Sequence, residues 1–157
     1  MSDVVVCQED FDVGAHYQKL CNSCPQAGAV VFFVGRVRDF YDSSKPRSPD
    51  NEIEYLELEH YPGMTEQLCQ EIIDQAKERF SFDGARVVHR VGKILASEQI
   101  VMVAVASAHR ETAFQAAQYI MDFLKTRATF WKKEVGAKGQ HWLGQKFKDK
   151  SASESWD

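Results

Sequence analysis

The sequence predicts an α+β fold, and three observations predict it. Two uninterrupted apolar runs, Gly28-Ala-Val-Val-Phe-Phe-Val-Gly35 and Ile100-Val-Met-Val-Ala-Val-Ala106, have the length and composition of strands buried on both faces. Two further segments carry apolar residues at helical spacing: Leu68, Ile72, Ala76 and Phe80, then Ala113, Phe114, Ala117, Ile120, Met121 and Leu124. The elements follow one another as β-α-β-β-α-β-β-α-β, which suits a mostly antiparallel sheet with its helices on one side. The 157 residues fit a single domain, and 44% hydrophobic with 27% charged residues excludes whole-chain disorder. No apolar run approaches the ~20 residues of a membrane helix. Met1-Ser-Asp-Val4 has neither the basic nor the apolar region of a secretory signal, so the expectation is a cytoplasmic protein.

Taken in order, Val4–Cys7 reads as a short strand and Asp12–Leu20 as a short helix with Asp12 as its N-cap. The strand between Gly28 and Gly35 runs into the polar Arg36-Val-Arg-Asp39. Residues 41–51 hold two prolines, three serines and almost nothing apolar, the composition of a mobile surface loop. Glu52–Tyr61 alternates as a strand, with a phase slip between Tyr55 and Leu56 that predicts a bulge. Pro62 and Gly63 end it, and Thr65 is placed to cap the next helix. Ala85–Val91 and Gln99–Ala106 read as strands joined by a loop over 92–98. Ser107 precedes a long helix reaching about Thr126. Thr129–Glu134 is read as extended, followed by a shorter stretch at Gln140–Leu143.

Charge is unevenly distributed. Residues 1–124 hold 11 basic and 19 acidic side chains, whereas residues 125–150 hold eight basic against two acidic. A basic segment on an acidic body suggests a local anion site. A long polyanion such as RNA would be repelled by the rest of the chain. For Lys146 to Lys150 a solvated charged tail is the simpler reading.

Three constellations could carry chemistry. Ala108-His-Arg-Glu111 places two cations in the first turn of a helix, where they oppose the macrodipole unless an anion sits there; alternatively Glu111 or another carboxylate neutralises Arg110. Gly35-Arg-Val-Arg38 puts Arg36 and Arg38 on one face at a strand end, where ligand sites are common and structural ion pairs commoner. Phe123-Leu-Lys-Thr-Arg-Ala-Thr-Phe-Trp-Lys-Lys-Glu134 interleaves cations with aromatics. A lysine kept among cations in a poorly hydrated site titrates below its usual ~10.4 and can move protons near neutrality; the same pattern also describes lysines snorkelling past apolar contacts. Cys21-Asn-Ser-Cys24 forms a CxxC at the end of the predicted helix, without the second ligand pair of a zinc site or the strand-to-helix context of a redox site. Cys7 and Cys69 complete the thiols. His16, His60, His89 and His141 show no metal spacing, and no phosphate-loop, dinucleotide or nucleophile-elbow motif occurs. Composition and pattern thus reach an α+β domain with a cationic, aromatic-lined site for a small anion.

Several stretches, read together, resemble the molybdopterin synthase large (catalytic) subunit family. They are Gly28 to Arg38, Leu56-Glu-Leu-Glu-His-Tyr-Pro-Gly-Met-Thr-Glu66, His89-Arg-Val-Gly92, Val103-Ala-Val-Ala-Ser-Ala-His-Arg110, Ala113-Phe114 and Met121 to Glu134. The resemblance covers residues 4–143. Thr129 stands where the family usually has proline, and the CxxC and Lys-rich tail are not family features. The resemblance implies an α/β hammerhead-like fold with an additional antiparallel β subdomain over residues 1–143, followed by a charged C-terminal tail over 144–157. It implies transfer of sulfur to cyclic pyranopterin monophosphate, forming the molybdopterin dithiolene. The sulfur arrives as a thiocarboxylate on the C-terminal Gly-Gly of a small ubiquitin-like subunit, and the large subunits form a homodimer within a heterotetramer. It implies that this subunit consumes no metal or organic cofactor. Residue by residue, Lys125 and Lys132 match catalytic positions, and Arg38, His109 and Arg110 match substrate-binding positions. Two alternatives of other classes stand beside this one: a non-catalytic anion- or RNA-binding module, and a CxxC redox or metal protein.

Overall fold

The structure, a computed structural model, describes residues 2–40, 42–127, 130–136, 139–143 and 152–156, with the side chains of 2, 130–132 and 141–143 outside the description. Strands β1 (Ser2–Cys7), β2 (Ala29–Arg36), β4 (Gly84–Arg90) and β6 (Gln99–Ser107) form one sheet in the order β1-β4-β6-β2. Strand β1 joins β4 in parallel; the other two pairings are antiparallel. A second sheet, antiparallel throughout, has the order β5-β3-β7-β8 and comprises β3 (Tyr55–His60), β5 (Gly92–Leu95), β7 (Phe130–Gly136) and β8 (Gly139–Leu143). The helices are α1 (Val13–Ser23), α2 (Met64–Phe80) and α3 (Arg110–Arg127).

The first sheet is organised around β6, which is apolar on both faces as its composition predicts. By the period of two, Val101, Val103 and Val105 turn one way and pack with Cys69, Ile72, Ile73 and Ala76 of α2 and Ala116, Ala117, Ile120 and Leu124 of α3. Met102, Ala104 and Ala106 turn the other way, against Phe11, Leu20 and Cys24. A fully buried valine contributes roughly 1.5–3 kcal/mol, so neither face can be left to water. Helix α1 therefore covers the face opposite α2 and α3, which corrects the expectation of helices on one side only. Asp12 caps α1 as predicted, its side chain accepting from the Ala15 amide at 3.1 Å.

Five other expectations change. Strand β2 is an edge strand, so its apolar run is not covered on both faces: Phe32 and Phe33 are 46% and 45% exposed. The ladder through Tyr55 and Leu56 is continuous, with Tyr55 opposite Leu95 and Leu56 opposite Ile94, so there is no bulge there. The phase slip arises because Ile53 is buried ahead of the strand, whose own inward residues are Leu56 and Leu58. Thr65 lies inside α2; Gly63, at φ +83°, is the cap residue, and the Glu66 carboxylate accepts its amide at 2.5 Å. Residues 92–98 hold strand β5 and a turn rather than a loop alone. Phe114, assigned to the buried face of α3, is exposed, while Ala113, Ala116 and Ala117 are buried. In the 41–51 segment, the buried Asn51 amide donates to the Asp42 carbonyl and accepts the Asp42 amide, each within 2.9 Å.

A partly buried polar contact ties β1, β4 and α1 together. The Arg86 guanidinium donates to His16 Nδ1 and to Asp3, both at 2.8 Å. Burial first, then the facing Arg86 charge, lowers the His16 pKa below 6.5. The folded protein thus holds fewer protons here than the unfolded chain, and the contribution is present above the unfolded pKa and lost as pH falls through the folded one. The expected result is that the stability gap between the wild type and His16→Gln narrows as urea unfolding is repeated from about pH 7 down to about pH 5. A gap that stays constant over that range removes His16 as the titrating group.

Candidate active site

The long helix α3 carries two of the five predicted site residues, Arg110 and Lys125, and a third stands at its entrance. His109 immediately precedes it, and its carbonyl accepts the Ala113 amide at 3.3 Å, so His109 stands at the helix entrance with Arg110 as the first helical residue. Their position is set by close packing of backbone on backbone. A Cβ at Gly28 would lie 2.6 Å from the Ala108 carbonyl oxygen, so only glycine lets the start of β2 approach the entrance to α3. His109 and Arg110 are exposed, and among the described residues neither forms a salt bridge; Glu111 does not neutralise Arg110. A guanidinium and an imidazole at the positive end of a helix dipole, beside the amides of its first turn, suit an anion.

Lys125 is exposed in the last turn of α3, where a cation suits the dipole. At 1.5 Å per residue it lies about 23 Å along the axis from Arg110. A single chain therefore cannot close both ends of α3 around one small substrate. Past the helix the chain enters β7, whose third residue, Lys132, pairs with Leu58 of β3 and Leu143 of β8. The Lys132 side chain lies outside the described residues.

Arg38 reaches the same strand. Its guanidinium donates to Glu134 Oε1 at 2.9 Å, and the carboxylate is nearly buried, 7% exposed against 36% for Arg38. Arg36 and Arg38 do not share a task. The β2–β6 register shifts between Gly35 and Arg36, and Arg36 donates to the Ser97 carbonyl at 2.7 and 3.0 Å. Arg38 thus has the structural ion pair that the sequence left open, with donors to spare on a five-donor group. Glu134 was legible in no spacing rule: it lies 96 residues from Arg38 and meets it only through the pairing of β3 with β7. The structure therefore brings Arg38 into contact with the strand that holds Lys132, places Lys125 at the helix end leading into that strand, and leaves His109 and Arg110 at the far end of α3.

The thiols occupy other places. Cys24 and Cys69 are buried, Cys7 and Cys21 half-buried, and all four are free. Burial pushes the Cys69 thiol up to about 11 and raises Cys7 as well. A cavity of about 270 Å³ lies beside Tyr17, Cys21 and Cys24, and its lining includes none of the predicted site residues. No group of three metal-ligating side chains occurs among the described residues. Under native conditions at about pH 8, Cys69 is expected to stay unmodified by a thiol reagent that labels it promptly in urea. Prompt labelling of Cys69 in the folded protein would contradict its burial.

Comparison with known proteins shows the family of the chain. Residues 6–127 match the MoaE protein family. The chain is 47% identical over 154 residues to the molybdopterin synthase catalytic subunit of Vibrio cholerae, covering 98% of this chain and 97% of that protein. Among solved structures, the molybdopterin biosynthesis MoaE protein of Burkholderia ambifaria superposes with a TM-score of 0.82 at 38% identity, over 99% of this chain and 98% of that one. A Helicobacter pylori complex of subunits 1 and 2 of molybdopterin-converting factor shares the fold, with a TM-score of 0.70 at 17% identity over 91% of each chain. By its sequence along nearly its whole length and by its two-sheet architecture, the chain belongs to the MoaE family.

Proposed function

We propose that this chain is the catalytic subunit of a molybdopterin synthase. It moves sulfur from the C-terminal thiocarboxylate of a small ubiquitin-like subunit to cyclic pyranopterin monophosphate. Each transfer replaces one carbon–oxygen bond of the pterin side chain by a carbon–sulfur bond; water then cleaves the acyl carbon–sulfur bond of the tail and leaves the tail a carboxylate. Two transfers complete the dithiolene. The observation that carries the reading is the family membership joined to the cationic positions themselves. The substrate is anionic, and this reading draws on His109, Arg110 and Lys125 at the two ends of α3, Lys132 on the β3–β7 ladder, and Arg38, which follows β2 and reaches Glu134 of β7. His109 and Arg110 hold the cyclic phosphate. Arg38 adds a further contact through the donors that Glu134 leaves free. Lys125 moves the proton at the carbon receiving sulfur, and Lys132 stabilises negative charge developing on the tail acyl group. The sulfur comes from the partner, so the raised pKa values of Cys7 and Cys69 are no obstacle.

A second copy of the chain completes the site. The span of α3 keeps Arg110 and Lys125 of one chain apart, and β2 presents an unpaired edge with Phe32 and Phe33 exposed beside it. In a homodimer, the phosphate-binding end of one α3 serves the lysines of the other chain, and one small subunit occupies each end of the assembly. This reading places the protein in the cytoplasm. The test is reconstitution with thiocarboxylated small subunit and pyranopterin, scored for dithiolene product. An Arg110→Ala variant and a Lys125→Ala variant, each strongly impaired alone, are expected to recover roughly a quarter of wild-type activity when unfolded and refolded together, because half the dimers are mixed and each mixed dimer has one intact site. No recovery in demonstrably mixed dimers places both residues in a site within one chain.

A further inference from the structure

Residues 152–156 pack onto α2 and α3. Trp156 lies against Phe80 of α2 and Tyr119 of α3, edge to face, with ring centroids 5.6 and 5.4 Å away. The Arg79 guanidinium lies over all three rings, 5.6 Å from Trp156 and 5.8 Å from each of the others. The indole N–H donates to Asp122 Oδ2 at 2.7 Å, while Gln118 donates to Oδ1 at 2.8 Å. Asp122 is buried, so these two donors keep its carboxylate from facing apolar surroundings alone. Ser153 is also buried, and its carbonyl accepts the Trp156 amide.

Asp122 stands one turn before Lys125, and its own carbonyl accepts the Thr126 hydroxyl at 3.3 Å. The last carbonyls of a helix have no partner within it, which makes that turn the easiest to open. Lys125 is exposed, so its placement depends on the backbone of that turn rather than on packing of its own side chain. Arg127 gives the same turn a second tether, donating to Gln75 of α2 at 2.6 Å. We infer that Trp156, acting through Asp122, is a positioning residue for Lys125: the C-terminal segment latches the end of α3 and holds the catalytic amine in register with the reacting carbon. The inference rests on the assignment of Lys125 made above.

The experiment uses the complete synthase with thiocarboxylated small subunit and pyranopterin. Trp156→Phe keeps a ring against Phe80 and Tyr119 and removes the donor to Asp122. Its kcat is expected to fall about five-fold or more, with KM for the pterin within about two-fold, because displacement of a reacting group is felt in the transition state and not in ground-state binding. Trp156→Ala is expected to lose more. In a Lys125→Ala background, Trp156→Phe is expected to change the residual rate by less than about two-fold, since there is no amine left to position. Unchanged kcat in Trp156→Phe overturns the inference, and so does an equal proportional loss in both backgrounds, which marks a merely structural role. Full activity in Lys125→Ala overturns the site assignment itself, a result distinct from a silent Trp156 in an enzyme that needs Lys125.

Discussion

Lys125→Ala is expected to lower kcat for dithiolene formation by about 100- to 1000-fold while leaving the protein folded and bound to its partner. The magnitude is that of a positioned group that moves a proton in the transition state. The competing account is that Lys125 merely complements the dipole at the end of α3, a contribution of about 0.3–1 kcal/mol to stability and none to the chemistry. The two accounts separate cleanly because the side chain is exposed. Its removal creates no cavity and strands no buried partner, so thermal unfolding should move little. Lys125→Arg sharpens the test. Arginine retains the charge and satisfies the dipole, but it does not give up a proton at accessible pH. A proton-transfer role predicts that Lys125→Arg stays close to Lys125→Ala in kcat; a purely electrostatic role predicts substantial recovery. Wild-type rates in folded, partner-bound Lys125→Ala protein would remove this residue from the mechanism.

How much of this was legible in the sequence follows from which interactions are local. Strand β6 could be read because its apolar residues fill both faces over consecutive positions, and α1 could be bounded because Asp12 caps it from three residues away. The burial of β2 was misread because an edge strand and a central strand can share one composition; what separates them is a neighbour supplied by the topology. The same limit hid Glu134 and Trp156. Each meets its partner, Arg38 or Asp122, only after sheets and helices have been assembled, and no periodicity records a pairing across 96 or 34 residues. The candidate site was legible as residue types, through the family resemblance, but its division was not. That His109 and Arg110 stand at one end of α3 and Lys125 at the other follows from the length of a single unbroken helix, and the proposal of a second copy of the chain rests on that separation.

Arg38→Ala is expected to cost both stability and substrate affinity, and the two losses can be separated. Removing the guanidinium leaves the Glu134 carboxylate, 7% exposed, without its charged partner. Breaking a fully buried pair costs about 3–5 kcal/mol, but Arg38 is a third exposed and water already screens the pair, so a loss of about 2 kcal/mol is the better expectation. For a domain of this size that corresponds to a fall of about 4–8 °C in Tm. The double variant Arg38→Ala/Glu134→Gln removes the orphaned charge and should regain most of that stability, because a neutral amide is far cheaper to bury than an unpaired carboxylate. If Arg38 also contacts the substrate, the double variant still has a raised KM for pyranopterin at restored Tm. If Arg38 only holds β7 in place, KM returns with stability. Glu134→Gln alone frees the guanidinium without burying a charge, so the substrate reading further predicts that this single variant binds pyranopterin at least as tightly as the wild type. A KM that rises in Glu134→Gln as far as in Arg38→Ala would mean that the ion pair, not the free donors of Arg38, is what the site requires.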